Sequence, residues 1–146
     1  MSDEVQRTQH PVDPNLLRAI GAKSAWADAV TVGPFVWAAG QIGWDKQTGR
    51  FPEGIEAQTE QALENLKEVL ERAGATMADV VSLRAYLVDQ DDYHRYEPIY
   101  HRYFPEHPPA RVSIVVASNI HDALIDFEVV AVKGSGESVE VADGRG

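Results

Sequence analysis

The chain contains no cysteine, which excludes disulfide bonds, a thiolate nucleophile and a cysteine-ligated zinc site. No stretch approaches the roughly 18 consecutive apolar residues of a membrane-spanning helix, and the first residues are too polar for a secretory signal. Basic residues are scarce, since 13 lysines and arginines stand against 23 acidic residues, for a net charge of −10. These features predict a cytoplasmic protein and disfavour nucleic acid as a partner, because nucleic-acid binders usually carry a basic surface.

The length and composition predict a single domain. The chain has 146 residues, of which 44% are hydrophobic, enough for one hydrophobic core. Residues 1 to about 14 and 134–146 are poor in large apolar side chains, and we expect both to be flexible tails. The domain would then span residues 15–133.

Between these tails, the hydrophobic patterning predicts the element order β-β-α-β-α-β-β. Gly33-Pro34 marks a hairpin turn, and Gly74 stands where a helix end favours a left-handed residue. Pro98 falls inside the second helix, where it costs about 3 kcal/mol, so we expect a kink or a restart there. The predicted strands lie at 28–33, 35–41, 80–88, 110–117 and 124–133, and the predicted helices at 55–73 and 91–104.

This order predicts an α+β fold, a mixed sheet with both helices on one face. Alternate residues on the other face are also apolar. A symmetric oligomer is the natural cover for that face.

Two neighbouring segments carry charge within apolar strands. Arg111 stands at the start of one strand, and Asp126 and Glu128 lie in the next. Charge on a buried strand is costly unless it is paired or used, and a guanidinium is a natural clamp for a carboxylate. The pattern predicts a pocket for a small organic acid.

If the last two strands form an antiparallel hairpin, Arg111 lies opposite Glu128 and Ser113 opposite Asp126. The four polar groups then cluster on one face. Asp126 is our candidate for orienting and deprotonating water. The alternatives stay open: Arg111 and Glu128 could form a plain cross-strand ion pair, and Asp126 and Ser113 could have only structural roles.

Three further residues are candidates for the ligand pocket. Gly40 could let a ligand approach the backbone, or mark a bend in the sheet. Trp26 could form an aromatic wall or pack at a subunit boundary, and Glu97 could bind an arginine, recognise an amine or face solvent. The five histidines make no metal motif, since His94 and His101 are separated by Pro98 and lack a third ligand.

The order and spacing of several motifs resemble the RidA family, also called YjgF or L-PSP endoribonuclease-like. The resemblance covers about residues 24–132, and its segments are 32–41, 58–66, 73–74, 79–81, 100–104, 109–111 and 125–131. It implies a chorismate mutase-like, YjgF-like fold and homotrimers with clefts between subunits. It also implies cofactor-free hydrolysis of enamines and imines of 2-keto acids, with Arg111, in the Pro-Ala-Arg motif, holding the substrate carboxylate.

The chain departs from the family pattern around that arginine. The substituted positions are Trp26 for tyrosine, Ala39 for serine, Glu97 for asparagine, Ser113 for cysteine, Asn119 for leucine and Asp126 for glutamate. The arginine is kept while its surroundings change, which indicates an altered substrate or activity.

The leading hypothesis is an enamine or imine deaminase in which Arg111 anchors a carboxylate and Asp126 orients water. One alternative is a non-catalytic metabolite-binding trimer. Another is a specialised deaminase or hydrolase of secondary metabolism or aromatic catabolism, for which Trp26 and Ala39 would suit a larger ring. Ribonuclease activity is disfavoured by the acidic charge and by the lack of a histidine pair.

Overall fold

Six strands form one mixed sheet in the structure, a computed structural model that describes residues 4–144. The strands are β1 (Arg7–Pro11), β2 (Ala27–Val32), β3 (Phe35–Ile42), β4 (Val80–Leu87), β5 (Ala110–Val115) and β6 (Ile125–Val132). The α-helices are α1 (Pro14–Ala19), α2 (Ile55–Arg72) and α3 (Tyr93–Tyr103). The sheet order is β1-β2-β3-β6-β4-β5, and only β4 and β5 run parallel. The predicted α+β fold is confirmed.

The hairpin of β2 and β3 follows from its turn residues. Val32 pairs with Phe35 across the turn, and Gly33 adopts a φ of +55°, a left-handed conformation that glycine enters without strain. The antiparallel register then sets Ala29 opposite Ala38, and both are buried.

Helix α2 forms where its apolar stripe predicts it. The stripe is fully buried at Ala62, Leu63, Leu66 and Leu70. Gly74 follows the helix with a φ of +88°, and the amide of Ala75 donates to the Leu70 carbonyl at 2.9 Å. This is the left-handed termination that Gly74 predicts.

Helix α3 runs from Tyr93 to Tyr103 as one helix with Pro98 inside it, so the expected restart is wrong. Proline removes one hydrogen bond, but Tyr96, Ile99 and Tyr100 are buried on the core side of the helix. Their packing offsets the local cost, as tertiary contacts commonly override propensity.

Helices α2 and α3 cover one face of the sheet, which we call the helix face. Inward residues of three strands form the core beneath them: Val36, Ala38, Leu83, Ala85, Leu87, Ile125, Phe127, Val129 and Ala131. The opposite face, which we call the open face, exposes Phe35, Trp37, Val112 and Ile114 by 37–45%. Among residues 4–144, no helix has the length and apolar character needed to cross a bilayer.

The N-terminal segment differs from the expected flexible tail. Strand β1 pairs with β2 at the sheet edge, and α1 follows it. Its residues are mostly exposed, so the strand is held by backbone hydrogen bonds to β2 rather than by buried side chains. For the same reason, no apolar pattern in the sequence predicts it. At the other end, the amide of Gly136 donates to Asp79 Oδ1 at 2.9 Å, which ties down the start of the second expected tail. Residues 1–3 and 145–146 of these tails lie outside the described residues.

Candidate active site

The hairpin assumed between β5 and β6 is wrong, because β4 lies between them. Arg111 is paired with Leu83 of β4, and Ser113 with Ala85. On the other side of β4, Tyr86 is paired with Asp126 and Arg84 with Glu128. The four polar residues therefore do not form the predicted cluster.

Paired residues share a face of a sheet, and successive residues alternate. Leu83 is buried under the helices, which puts its partner Arg111 on the helix face. Asp126 and Glu128 alternate with the buried Ile125, Phe127 and Val129, which puts their side chains on the open face. Two apolar strands joined by a short connection look alike in sequence whether they pair or flank a third strand. The parallel β4-α3-β5 crossover decides which occurs here.

Arg111 contacts four side chains of α3. We call these five residues the arginine cluster: Arg111, Tyr93, Tyr96, Glu97 and Tyr100. Arg111 Nη2 donates to Glu97 Oε2 at 3.1 Å and to the Tyr93 hydroxyl at 3.0 Å. The guanidinium carbon is 4.7 Å from the centre of the Tyr100 ring and 5.7 Å from those of Tyr93 and Tyr96. The helical spacing of the cluster brings its α3 members to one side of the helix, so hydrogen bonds and cation–π contacts fix the guanidinium.

The electrostatics of the cluster keep Arg111 charged. Partial burial lowers the pKa of Arg111, but the hydrogen bond that Arg111 donates to Glu97, together with the surrounding tyrosines, more than offsets this, so the net shift of the pKa is upward. Burial raises the pKa of Tyr96, whose hydroxyl lies 2.6 Å from Ser113 Oγ. Ser113 is thus engaged with a neutral phenol beside the arginine.

Asp126, Gly40 and Trp26 meet in a separate cavity of about 430 Å³. It lies between the start of β2, the end of β3, α1 and α2, and we call it the β2–α2 cavity. Its apolar lining includes Leu16, Ile20, Trp26, Ile42, Trp44 and Val69, and its polar lining includes Asp28, Gln41, Lys46, Arg72, His121 and Asp126. Arg111 is not among its lining residues.

The Asp126 carboxyl in this cavity has a strongly raised pKa. Burial, reinforced by the negative charge of Glu128, raises its pKa to about 6. Its Oδ1 atom is buried and accepts no hydrogen bond from the described residues. A desolvated carboxylate with a free oxygen is suited to orienting water and accepting a proton near neutral pH.

Gly40 makes room for that carboxylate. The pairing of β3 with β6 shifts register between Ala38 and Gln41, so Gly40 does lie at an irregularity in the sheet. A Cβ at position 40 would lie 2.7 Å from Asp126 Oδ1. Glycine at position 40 thus leaves space for the Asp126 side chain, in addition to exposing its backbone to the cavity.

Glu128 does pair across strands, but with a different arginine from the one expected. Arg84 Nη1 lies 3.6 Å from Glu128 Oε1, and the hydroxyl of Tyr86 donates to the same oxygen. Glu97, in contrast, takes the place beside Arg111 that was expected for Glu128.

Sequence reasoning missed two groups of site residues. The tyrosines of the arginine cluster stand at helical spacing in the sequence, and that spacing could have indicated a shared face toward Arg111. Asp28 and Arg72, an ion pair with 2.9 Å between Oδ2 and Nη2, are 44 residues apart. No local pattern connects them.

Comparison with known proteins gives a consistent answer. The family model described as Endoribonuclease L-PSP matches residues 16–133. A RutC family protein of Pyrococcus abyssi is 41% identical over 109 residues, which are 74% of this chain and 86% of that protein. The 2-iminobutanoate/2-iminopropanoate deaminase of Rattus norvegicus is 36% identical over 118 residues, covering 80% of this chain and 86% of the relative.

The fold matches solved structures as well. The structure of Escherichia coli TdcF with bound serine superposes with a TM-score of 0.73 at 28% identity, covering 77% of this chain and 91% of that chain. The sequence motifs, the family model and the fold agree over most of the chain. The chain therefore belongs to the endoribonuclease L-PSP family, the RidA/YjgF family whose motifs its sequence carries.

Proposed function

We propose that this protein is an enamine or imine deaminase, which hydrolyses a reactive 2-imino acid to the 2-keto acid and ammonia. The observation that carries the proposal is Asp126, a carboxyl in the β2–α2 cavity with a pKa of about 6 and one oxygen free of hydrogen bonds from described residues. The deaminase name of the rat relative supports the same reaction class.

The proposed site needs two protomers. Arg111 and Asp126 lie on opposite faces of one sheet, and Arg111 is on its edge strand β5. The β2–α2 cavity, which Asp126 lines, therefore does not contain Arg111 of the same chain. A homotrimer, with Arg111 of one protomer facing the β2–α2 cavity of the next, would unite them. The exposed apolar side chains of the open face, such as Trp37 and Val112, support such an assembly.

The chemistry follows from the two groups. The Arg111 guanidinium binds the substrate carboxylate and orients the C=N carbon toward the cavity. The Asp126 carboxylate accepts a proton from water as the water oxygen bonds to that carbon, and it passes this proton to the imine nitrogen, which gives a carbinolamine. Asp126 then takes the proton of the carbinolamine hydroxyl and donates it to the nitrogen as the C–N bond breaks, which releases ammonia and leaves the keto acid. No cofactor takes part in this scheme.

Ammonia release tests the proposal. An amino-acid oxidase generates 2-iminobutanoate in situ, and ammonia is followed with and without the protein. We expect acceleration by the native protein, loss with Arg111→Ala, and full activity with Arg102→Ala. Arg102 is a suitable control because its ion pair with Glu60, at 3.8 Å, lies on the surface. No acceleration by the native protein would refute deamination of this substrate.

Assembly is tested by mixing. If the two halves of the site come from different protomers, inactive Arg111→Ala and Asp126→Asn chains refolded together should regain part of the native activity. Light scattering should give three times the chain mass. A mixture as inactive as its components, or a monomeric mass, would contradict the shared site.

A second candidate function is non-catalytic metabolite binding. One observation favours it: Glu97 already binds Arg111, so the pair offers one positive and one negative group to a ligand. A free amino acid carries the complementary charges, and E. coli TdcF has been solved with serine. Calorimetric binding of serine without ammonia release from any imine would favour this candidate.

A further inference from the structure

The β2–α2 cavity contains an arginine of its own, Arg72, which the proposed deaminase reaction does not use. Arg72 projects from the last turn of α2 and lines the cavity. Its Nη2 donates to Asp28 Oδ2 at 2.9 Å. Gln41 Nε2 donates to the other oxygen, Asp28 Oδ1, at 3.3 Å.

These contacts fix the position of the Arg72 guanidinium but leave some of its N–H donors available to a ligand. Asp28 is 8% exposed, so its buried carboxylate is a fixed anchor with a partner on each oxygen. The Arg72 side chain remains 41% exposed. A guanidinium has five N–H donors, and the bond to Asp28 uses one of them. Arg72 can therefore bind a ligand acceptor while Asp28 sets its orientation.

Arg72 is the best placed cation of the cavity for this role. Lys46 also lines the cavity, but its ammonium is 3.0 Å from Glu68 Oε1. Lys23 lies on an exposed stretch before β2, and no residue within 4–144 gives it an anchoring ion pair like that of Arg72.

The cavity is also large for a short imino acid. Its 430 Å³ falls in the range that accommodates drug-sized ligands. Trp26 and Trp44 lie among its apolar lining residues. The cavity thus combines an apolar lining with a cationic group, beside the carboxyl of Asp126.

We propose that Arg72, positioned by Asp28 and Gln41, selects ligands with an extended side chain that ends in a second carboxylate. The proposal rests on the proposed function, since it assumes that the ligand's first carboxylate is bound by Arg111. It adds the preferred substrate class: 2-imino acids of dicarboxylic amino acids, which should react in preference to short monocarboxylic ones. The reaction at the C=N bond is unchanged.

Two six-carbon keto acids provide a matched test. 2-Oxoadipate and 2-oxohexanoate differ only in the terminal carboxylate, and quenching of tryptophan fluorescence reports their binding because Trp26 and Trp44 line the cavity. We expect the native assembly to bind 2-oxoadipate about tenfold more tightly, an increment typical of a charge-assisted hydrogen bond. Equal affinities, or a preference for 2-oxohexanoate, would overturn the proposal.

Variants identify the source of the preference. Arg72→Gln should remove it, whereas Arg102→Gln, the same change at a surface ion pair, should keep it. If Arg72→Gln does not fold, because Asp28 is left buried without its cation, the double variant Asp28→Asn/Arg72→Gln removes both charges together. A preference retained in the folded single or double variant would refute the role of Arg72.

Catalysis is measured separately, with imines generated from 2-aminoadipate and from norleucine by an amino-acid oxidase. A native protein that prefers 2-oxoadipate but releases ammonia from neither imine would refute the proposed deaminase and support the ligand class. Ammonia release from both imines at equal kcat/KM, together with equal binding, would support the deaminase and refute the ligand class.

Discussion

Arg111 Nη2 lies 3.1 Å from Glu97 Oε2, so the arginine expected to bind a ligand carboxylate already binds a carboxylate of its own chain. Both groups are partly accessible, with 21% of the Arg111 side chain and 36% of the Glu97 side chain exposed. A ligand carboxylate must share the guanidinium with Glu97 or displace it, and the two negative charges repel each other.

Glu97→Gln should therefore tighten carboxylate binding. Removing the charge while keeping a hydrogen-bond acceptor should lower the Kd for 2-oxobutanoate about five- to tenfold, within the range of charge-pair effects at partly exposed sites. Isothermal titration calorimetry measures the change. Glu56→Gln, which removes the exposed partner of Arg95, should leave Kd unchanged. Unaltered binding in Glu97→Gln would show that Glu97 does not compete with the ligand, and weaker binding would show that Glu97 assists it.

The pH dependence of activity should follow Asp126. With a pKa of about 6, the carboxylate is mostly ionised at pH 7. The value of kcat/KM should fall about tenfold per pH unit well below 6, because only the ionised form accepts a proton from water. Glu128 contributes to the raised pKa, so Glu128→Gln should move the inflection to lower pH. A profile that stays flat from pH 8 to 5 would exclude Asp126 as the base.

Ionisation of the Asp126 carboxyl should lower the free energy of unfolding at neutral pH. Its pKa is raised from 3.8 to about 6 on folding, so the folded state binds the proton more tightly. The resulting stabilisation is present in full below about pH 4 and is lost as pH rises through 6. Asp126→Asn should raise the free energy of unfolding by about 2–3 kcal/mol at pH 8, and by much less at pH 4.

Urea denaturation at pH 4 and pH 8, at one protein concentration, measures this difference. Glu106→Gln, at an exposed position, is the control and should change the free energy of unfolding little at either pH. A loss of stability in Asp126→Asn at pH 8 would mean that the ionised carboxylate has a stabilising partner in the assembled protein.

Gly40→Ala should destabilise the fold through Asp126. The added Cβ would lie 2.7 Å from Asp126 Oδ1, which is closer than Cβ atoms are found, and 3.0 Å from Oδ2, which is a tight contact. We expect a cost of about 1–3 kcal/mol, typical of overpacking, seen as a lower thermal midpoint. Gly144→Ala, where no atom of residues 4–144 lies within 4 Å of the added atom, should be neutral.

The double variant Gly40→Ala/Asp126→Ala isolates this contact. Because truncating Asp126 removes the atoms with which the Cβ collides, the cost of Gly40→Ala should largely disappear in that background. An equal cost in both backgrounds would assign the effect to the backbone of the β3 irregularity instead.

Local patterns in the amino-acid order were enough to predict helix α2, the β2–β3 hairpin and the approximate bounds of α3, although not its continuity through Pro98. Periodicity, Gly33-Pro34 and Gly74 act over a few residues, so their consequences do not depend on the rest of the fold. Family motifs likewise singled out Arg111, because the Pro-Ala-Arg run is contiguous. Edge strand β1 escaped prediction, since its backbone pairing needs no apolar side chains.

Folding in three dimensions decided which of these residues meet. Sequence distance does not reveal that β4 separates β5 from β6, that Arg111 faces Glu97 rather than Glu128, or that Asp28 holds Arg72. Strand pairing is selected by the burial and hydrogen bonding of the whole sheet, and its register sets the face on which each charge lies. The sequence determines which side chains are present. Packing between distant segments determines which partners each side chain contacts, and therefore its chemistry.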